Sequence, residues 1–76
     1  MESKYTERME TIGRNIAEHR ILLGLTQQEL ADKVGISKSY LSKIEASNSN
    51  KSCSLQVLFD IADALNVSVT SLFNDL

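Results

Sequence analysis

Met9, Ile12, Ile16 and Leu23, with Arg20 set among them, recur at spacings of three and four residues. That is the stripe of one helical face. Gly24 follows, where a residue able to adopt left-handed geometry commonly ends a helix, so the spacing predicts a first helix over about 7–23. Thr26-Gln27-Gln28-Glu29 reads as a capping box, the Thr26 hydroxyl accepting from the Glu29 amide while the Glu29 carboxylate reaches back. A short second helix then runs to about Lys33 with Leu30, Ala31 and Val34 inward, and Gly35 stops it. Ser37 caps a third helix over about 38–46, which turns Leu41 and Ile44 to the core. Two helices joined by a short turn containing glycine define a helix-turn-helix over about 26–46.

Residues 46–53 are small, polar and unpatterned, which reads as a loop. Ser54 caps a fourth helix over about 55–65, with Leu55, Leu58, Ile61, Ala62 and Leu65 on one side. Asn66 sits where a glycine would suit, being the residue that next best tolerates left-handed geometry. Val67 is expected to pack back, and Thr70 to cap a short fifth helix holding Leu72 and Phe73. Without repeat, linker or low-complexity tract, the chain is expected to be one all-α domain, residues 1–76.

Composition narrows this picture. The absence of proline and the presence of only three glycines, Gly13, Gly24 and Gly35, favour helices over a turn-rich β architecture. A 76-residue chain builds only a small core, so burial against a second copy is an expected supplement. The single Cys53 excludes an internal disulfide, and no metal-ligand spacing surrounds it. It reads as a loop or core-edge thiol, and His19 as a solvent-facing helical histidine. No apolar run has the length of a membrane span, and the N-terminus lacks the apolar stretch of a signal peptide, so a cytoplasmic setting is expected. Paired catalytic carboxylates, a nucleophile–base set and a phosphate loop are all missing, so neither enzymatic activity nor a cofactor is expected.

A net charge of −2 argues mildly against a nucleic-acid partner, because phosphate neutralisation dominates DNA affinity. The distribution reverses that reading. Residues 1–32 carry −2 and residues 52–76 carry −3, while residues 33–51 carry +3 from Lys33, Lys38, Lys43 and Lys51 against Glu45. Any DNA face must therefore lie in the middle third.

The stretch from Arg20 to Glu45, with its Leu25-Thr26-Gln27-Gln28-Glu29-Leu30-Ala31 run, its turn glycine Gly35 and its closing Ile44-Glu45, resembles the Cro/C1-type (Xre) family of DNA-binding domains. Residues 58–68 are similar to that family's fourth helix, and the likeness covers roughly residues 9–73. It implies a five-helix, lambda repressor-like domain whose third helix lies in the major groove of double-stranded DNA while the second crosses the backbone. Carried over by position, it implies phosphate contacts from Gln27 and Ser37, and base-edge or phosphate contacts from Lys38, Ser39, Ser42 and Lys43. Tyr40 would meet the backbone and Lys51 a phosphate. Helical geometry agrees, since positions 38, 39, 42 and 43 oppose Leu41 and Ile44. On an isolated helix these lysines would be ordinary solvated charges; the surrounding pattern gives them a role. The resemblance also implies a structural salt bridge between Arg20 and Glu45. The chain departs from the family after Glu45, where Ala46 and Ser47 replace the usual glycine and proline is absent.

Phe59, Phe73 and Leu76 are left over from the core stripes. Either they enlarge a small core or they form a self-complementary dimer patch, and a two-fold dimer reads two half-sites about one helical turn apart. The expected function is that of a transcriptional regulator binding a near-palindromic operator as a homodimer, meeting RNA polymerase if it activates. A stand-alone domain with the Lys38-Ser39-Tyr40-Leu41-Ser42 reading stretch resembles the controller proteins of restriction–modification systems. An antitoxin or phage-type regulator of the same build is the alternative, as is a protein-interaction module that uses this shape without DNA.

Overall fold

Four α-helices, α1 (Thr6–Leu22), α2 (Gln27–Val34), α3 (Lys38–Glu45) and α4 (Leu55–Leu65), are followed by a 3₁₀ segment at Val69–Phe73. The computed structural model describes residues 5–46 and 53–76, and no strand occurs among them. Each short helix starts on a hydroxyl cap. Thr26 accepts from the Glu29 amide at 3.0 Å while the Thr26 N–H donates to the Glu29 carboxylate at 2.9 Å. Ser37 accepts from the Tyr40 amide at 2.9 Å and Ser54 from the Val57 amide at 3.1 Å. Each cap satisfies an amide that has no partner within its helix.

The helix ends share a second device. Gly24 (φ +72°) and Gly35 (φ +85°) adopt left-handed geometry after α1 and α2, and Asn66 (φ +63°) does so after α4. After α1, the Gly24 and Leu25 amides donate back to the Ile21 and Arg20 carbonyls at 2.9 and 3.1 Å. After α4, the Asn66 and Val67 amides repeat the pattern onto Asp63 and Ala62. This paired closure turns the chain sharply and throws the next apolar residue back onto the core. Leu25, Ile36 and Val67 all pack against it.

Ile16, Leu30, Ala31, Leu41, Ile44, Leu58, Ile61, Ala62, Leu65 and Leu72 form the core. In it α2 packs on α3 and α4, while α1 packs on α3 and the 3₁₀ segment. Two buried residues of α1 lie outside the aliphatic stripe. Gly13 comes so close to the end of α3 that a side chain there would collide with the Ile44 carbonyl. Asn15 donates both N–H groups of its amide, to the Leu72 carbonyl at 3.0 Å and the Asn74 carbonyl at 2.8 Å. The C-terminal segment is thereby tied to α1.

Four expectations are corrected. The fifth helix is a 3₁₀ segment of five residues, with Ser68 rather than Thr70 at its N-cap. The Ser68 hydroxyl bonds the Thr70 and Ser71 hydroxyls instead of a helical amide, and the Ser71 amide closes an i→i+3 bond on the Ser68 carbonyl. Leu23 is exposed because α1 ends at Leu22, before the stripe reaches it. Leu55 is exposed as well, since it occupies the first position of α4 and lies four residues before Phe59, on the margin of the buried face. The third helix closes at Glu45, with Ala46 as its C-cap.

Candidate nucleic-acid interface

The outer side of α3 is built by what its inner side requires. Leu41 is fully buried and Ile44 nearly so. That leaves Ser37, Lys38, Ser39 and Lys43 exposed, with Ser42 and Tyr40 half-buried at the edges. The Tyr40 ring packs against the core, and the Ser37 oxygen is occupied by its capping bond, leaving the Ser37 hydroxyl proton to donate outward. Lys51 lies outside the described residues. The exposed face carries two ammonium groups and serine hydroxyls. Its helix has a single acid, Glu45, at the far end.

Glu45 is not available to oppose those lysines. Arg20 grips it with two parallel bonds, Nε to Oε2 at 2.9 Å and an η-nitrogen to Oε1 at 3.0 Å. The other η-nitrogen donates to the Leu25 carbonyl at 2.8 Å. The paired side chains are only 13% and 4% exposed, so this pair is screened from water and has the planar two-bond geometry that suits guanidinium and carboxylate. Arg20 is thus a deliberate charge on the apolar face of α1. It joins the end of α1 to the end of α3 and to the turn before α2.

Gln27 enters the same cluster. Its amide Nε2 donates to Glu45 Oε1 at 3.0 Å. The first residue of α2 and the last of α3 are therefore bonded directly, so Gln27 is brought together with Arg20 and Glu45 rather than standing free on the surface. Sequence reasoning missed this link, and the contributions of Gly13 and Asn15. A glycine in mid-helix and an asparagine beside Ile16 were the visible signals.

Elsewhere, Phe59 and Leu76 are exposed, and Leu55 joins them. Phe73 is half-buried and packs partly on the core. Cys53 is half-buried too, and burial pushes its thiol above the usual range, which keeps it protonated and poorly nucleophilic. Among the described residues no cluster of His, Cys, Asp and Glu could hold a metal ion, and no helix is long and apolar enough to cross a membrane.

A capped helix, a glycine turn and a second helix with a basic, acid-free outer face define a helix-turn-helix DNA-binding domain. The helix-turn-helix (HTH_3) family model matches residues 16–72, and the chain belongs to that family. It is 42% identical over 64 residues to the HTH-type transcriptional regulator SinR of Bacillus licheniformis, covering 84% of this chain and 57% of that protein. The chain thus spans little more than half of that relative's length. Among solved structures, the restriction–modification controller protein C.AhdI from Aeromonas hydrophila superposes with a TM-score of 0.80 at 29% identity, over 86% of this chain and 96% of that one. SinR in complex with DNA gives 0.76 at 41% identity, over 83% and 98%.

Proposed function

We propose that the chain is a sequence-specific transcriptional regulator that binds a near-palindromic operator as a homodimer. The observation that carries this reading is the outer face of α3, where Lys38, Ser39, Ser42 and Lys43 form an acid-free surface while the single carboxylate of that helix, Glu45, is paired with Arg20. Lysine suits guanine O6 and N7, and serine hydroxyls adapt to several base edges, so direct readout is modest and the shape of the duplex adds to it. Gln27, Ser37 and Lys51 take phosphates and Tyr40 the backbone, which fixes the register of α3 in the groove. SinR, a relative of 41% identity, has been crystallised in complex with DNA, which supports the reading.

Leu55 and Phe59, one turn apart on α4, and Leu76 are exposed apolar side chains that suit a two-fold contact, with half-buried Phe73 as a further candidate. Likeness to C.AhdI over nearly its whole length favours control of a restriction–modification operon, with RNA polymerase as a further partner where the protein activates.

Titration with random-sequence duplex DNA at low salt tests the reading: binding is expected, weakening steeply as salt rises. Absence of binding at every salt concentration would leave only a protein-interaction module. Lys43→Ala is expected to lower operator affinity by about 1–3 kcal/mol, and an unchanged affinity removes Lys43 from the interface. Sedimentation of the wild-type chain, expected to show a dimer that Phe59→Ser weakens, tests the two-fold contact.

A further inference from the structure

The geometry points to Glu45 as a positioning residue for DNA binding: it holds the Gln27 amide so that one N–H is committed inward and the other is presented to a phosphate. The inference rests on the reading above, in which Gln27 meets the backbone. A primary amide has two N–H donors held about 120° apart in one plane. When one points at Glu45 Oε1 at 3.0 Å, the direction of the second is set. The carboxylate also decides which way round the amide sits, because turning the amide oxygen toward Glu45 would set two acceptors face to face.

Glu45 can do this because it is itself immobile. Its side chain is 4% exposed and both oxygens are taken by Arg20, Oε1 being shared between the guanidinium and Gln27. The shared oxygen makes Arg20, Glu45 and Gln27 one rigid unit spanning the end of α1, the start of α2 and the end of α3. Without Glu45, Gln27 would be a long side chain on a first helical turn, and ordering it on a phosphate would cost rotamer entropy at binding. With Glu45 that cost is met on folding. The same unit makes the phosphate contact from α2 and the base contacts from α3 move together, so register on the backbone becomes register in the groove.

The test is a double-mutant cycle on a random-sequence duplex. Gln27→Ala is expected to lower affinity on the order of tenfold in the wild-type background, as loss of one hydrogen bond to a charged group. The salt dependence should stay unchanged, because a neutral donor displaces no counterion. The companion background is Arg20→Met with Glu45→Leu, an apolar replacement of a buried pair of the kind that often preserves folding. There, Gln27→Ala is expected to change affinity less than about twofold. Equal losses in both backgrounds overturn the positioning role and leave the phosphate contact standing. No loss in the wild-type background overturns the phosphate contact and the inference with it. If the companion variant does not fold, side-chain amide relaxation in the free wild-type chain decides. Gln27 should be as ordered as backbone, at about 0.85, and exposed Gln56 below about 0.6. A Gln27 amide as mobile as that of Gln56 overturns the inference.

Discussion

α3 is held on two sides by different physics. Toward α1 the contact is made by a glycine that lets two backbones meet and by a bidentate ion pair closing the far end. Toward α2 it is made through Leu30 and Ala31, backed in the same core by Ile61 and Leu65 of α4, aliphatic groups whose directions matter less than their volume. The first side specifies an angle and the second supplies stability. A reading helix needs both, since a shift of one ångström at its outer face misplaces a base contact while leaving the core buried.

The largest effect should follow from cutting the ion pair at one end only. Arg20→Ala leaves the Glu45 carboxylate nearly water-free and uncompensated, and is expected to cost about 3–5 kcal/mol of unfolding free energy. For a domain of this size that is most of the stability, visible in a urea titration. Replacing both partners by apolar groups of similar length should cost far less. If the single and double replacements unfold at the same urea concentration, charge burial is not what makes this junction brittle.

Gly13→Ala comes next. Alanine normally strengthens a helix relative to glycine, yet here its β-carbon would run into the Ile44 carbonyl, a backbone atom that cannot rotate away. The expected outcome is a loss of about 1–3 kcal/mol as α1 and α3 are forced apart. A thermal scan showing Gly13→Ala more stable than wild type would mean that α1 and α3 do not touch there. On the other side, Ile61→Leu keeps its volume inside the core and should cost under about 1.5 kcal/mol, with DNA affinity nearly unchanged. A larger loss at Ile61 than at Gly13 would reverse the comparison.

The two sides also differ in how far they could be read from sequence. The aliphatic side is periodic, so Leu30, Ala31, Leu41, Ile44, Leu58, Ile61, Ala62 and Leu65 follow from spacing, and the helix ends from Gly24, Gly35 and Asn66. The specific side depends on which elements cross. Gly13 meets Ile44 across thirty-odd residues of chain, and Asn15 finds carbonyls at Leu72 and Asn74 that no local pattern announces. The Arg20–Glu45 pair was legible only through resemblance, and the Gln27 bond to it was not legible at all. Periodicity puts Leu55 inward because it treats a helix's first residue like its interior ones. On α3 the exposed positions Lys38, Ser39 and Lys43 follow from the buried ones, which is why that much of the candidate interface is legible in the sequence.

The smallest effect concerns the N-terminus of α2, where both sides meet next to Gln27. Glu29 is held below its ordinary carboxylate range, first by the Thr26 backbone N–H, then by the Thr26 side chain, with Lys33 adding a weaker attraction. A carboxylate whose affinity for protons is lower in the folded state contributes stability above its unfolded pKa and loses it as pH falls through the folded value. The capping contribution of Glu29 should therefore be full at neutral pH and fade below about pH 4.5. Glu29→Gln keeps an acceptor at the same place but does not titrate. The stability difference between wild type and Glu29→Gln, taken from urea midpoints, should accordingly shrink as pH is lowered from neutrality through the acid range in which the carboxylate takes up its proton. A difference that stays constant across the range would assign the cap to hydrogen-bond geometry alone, with charge contributing nothing to how α2 begins.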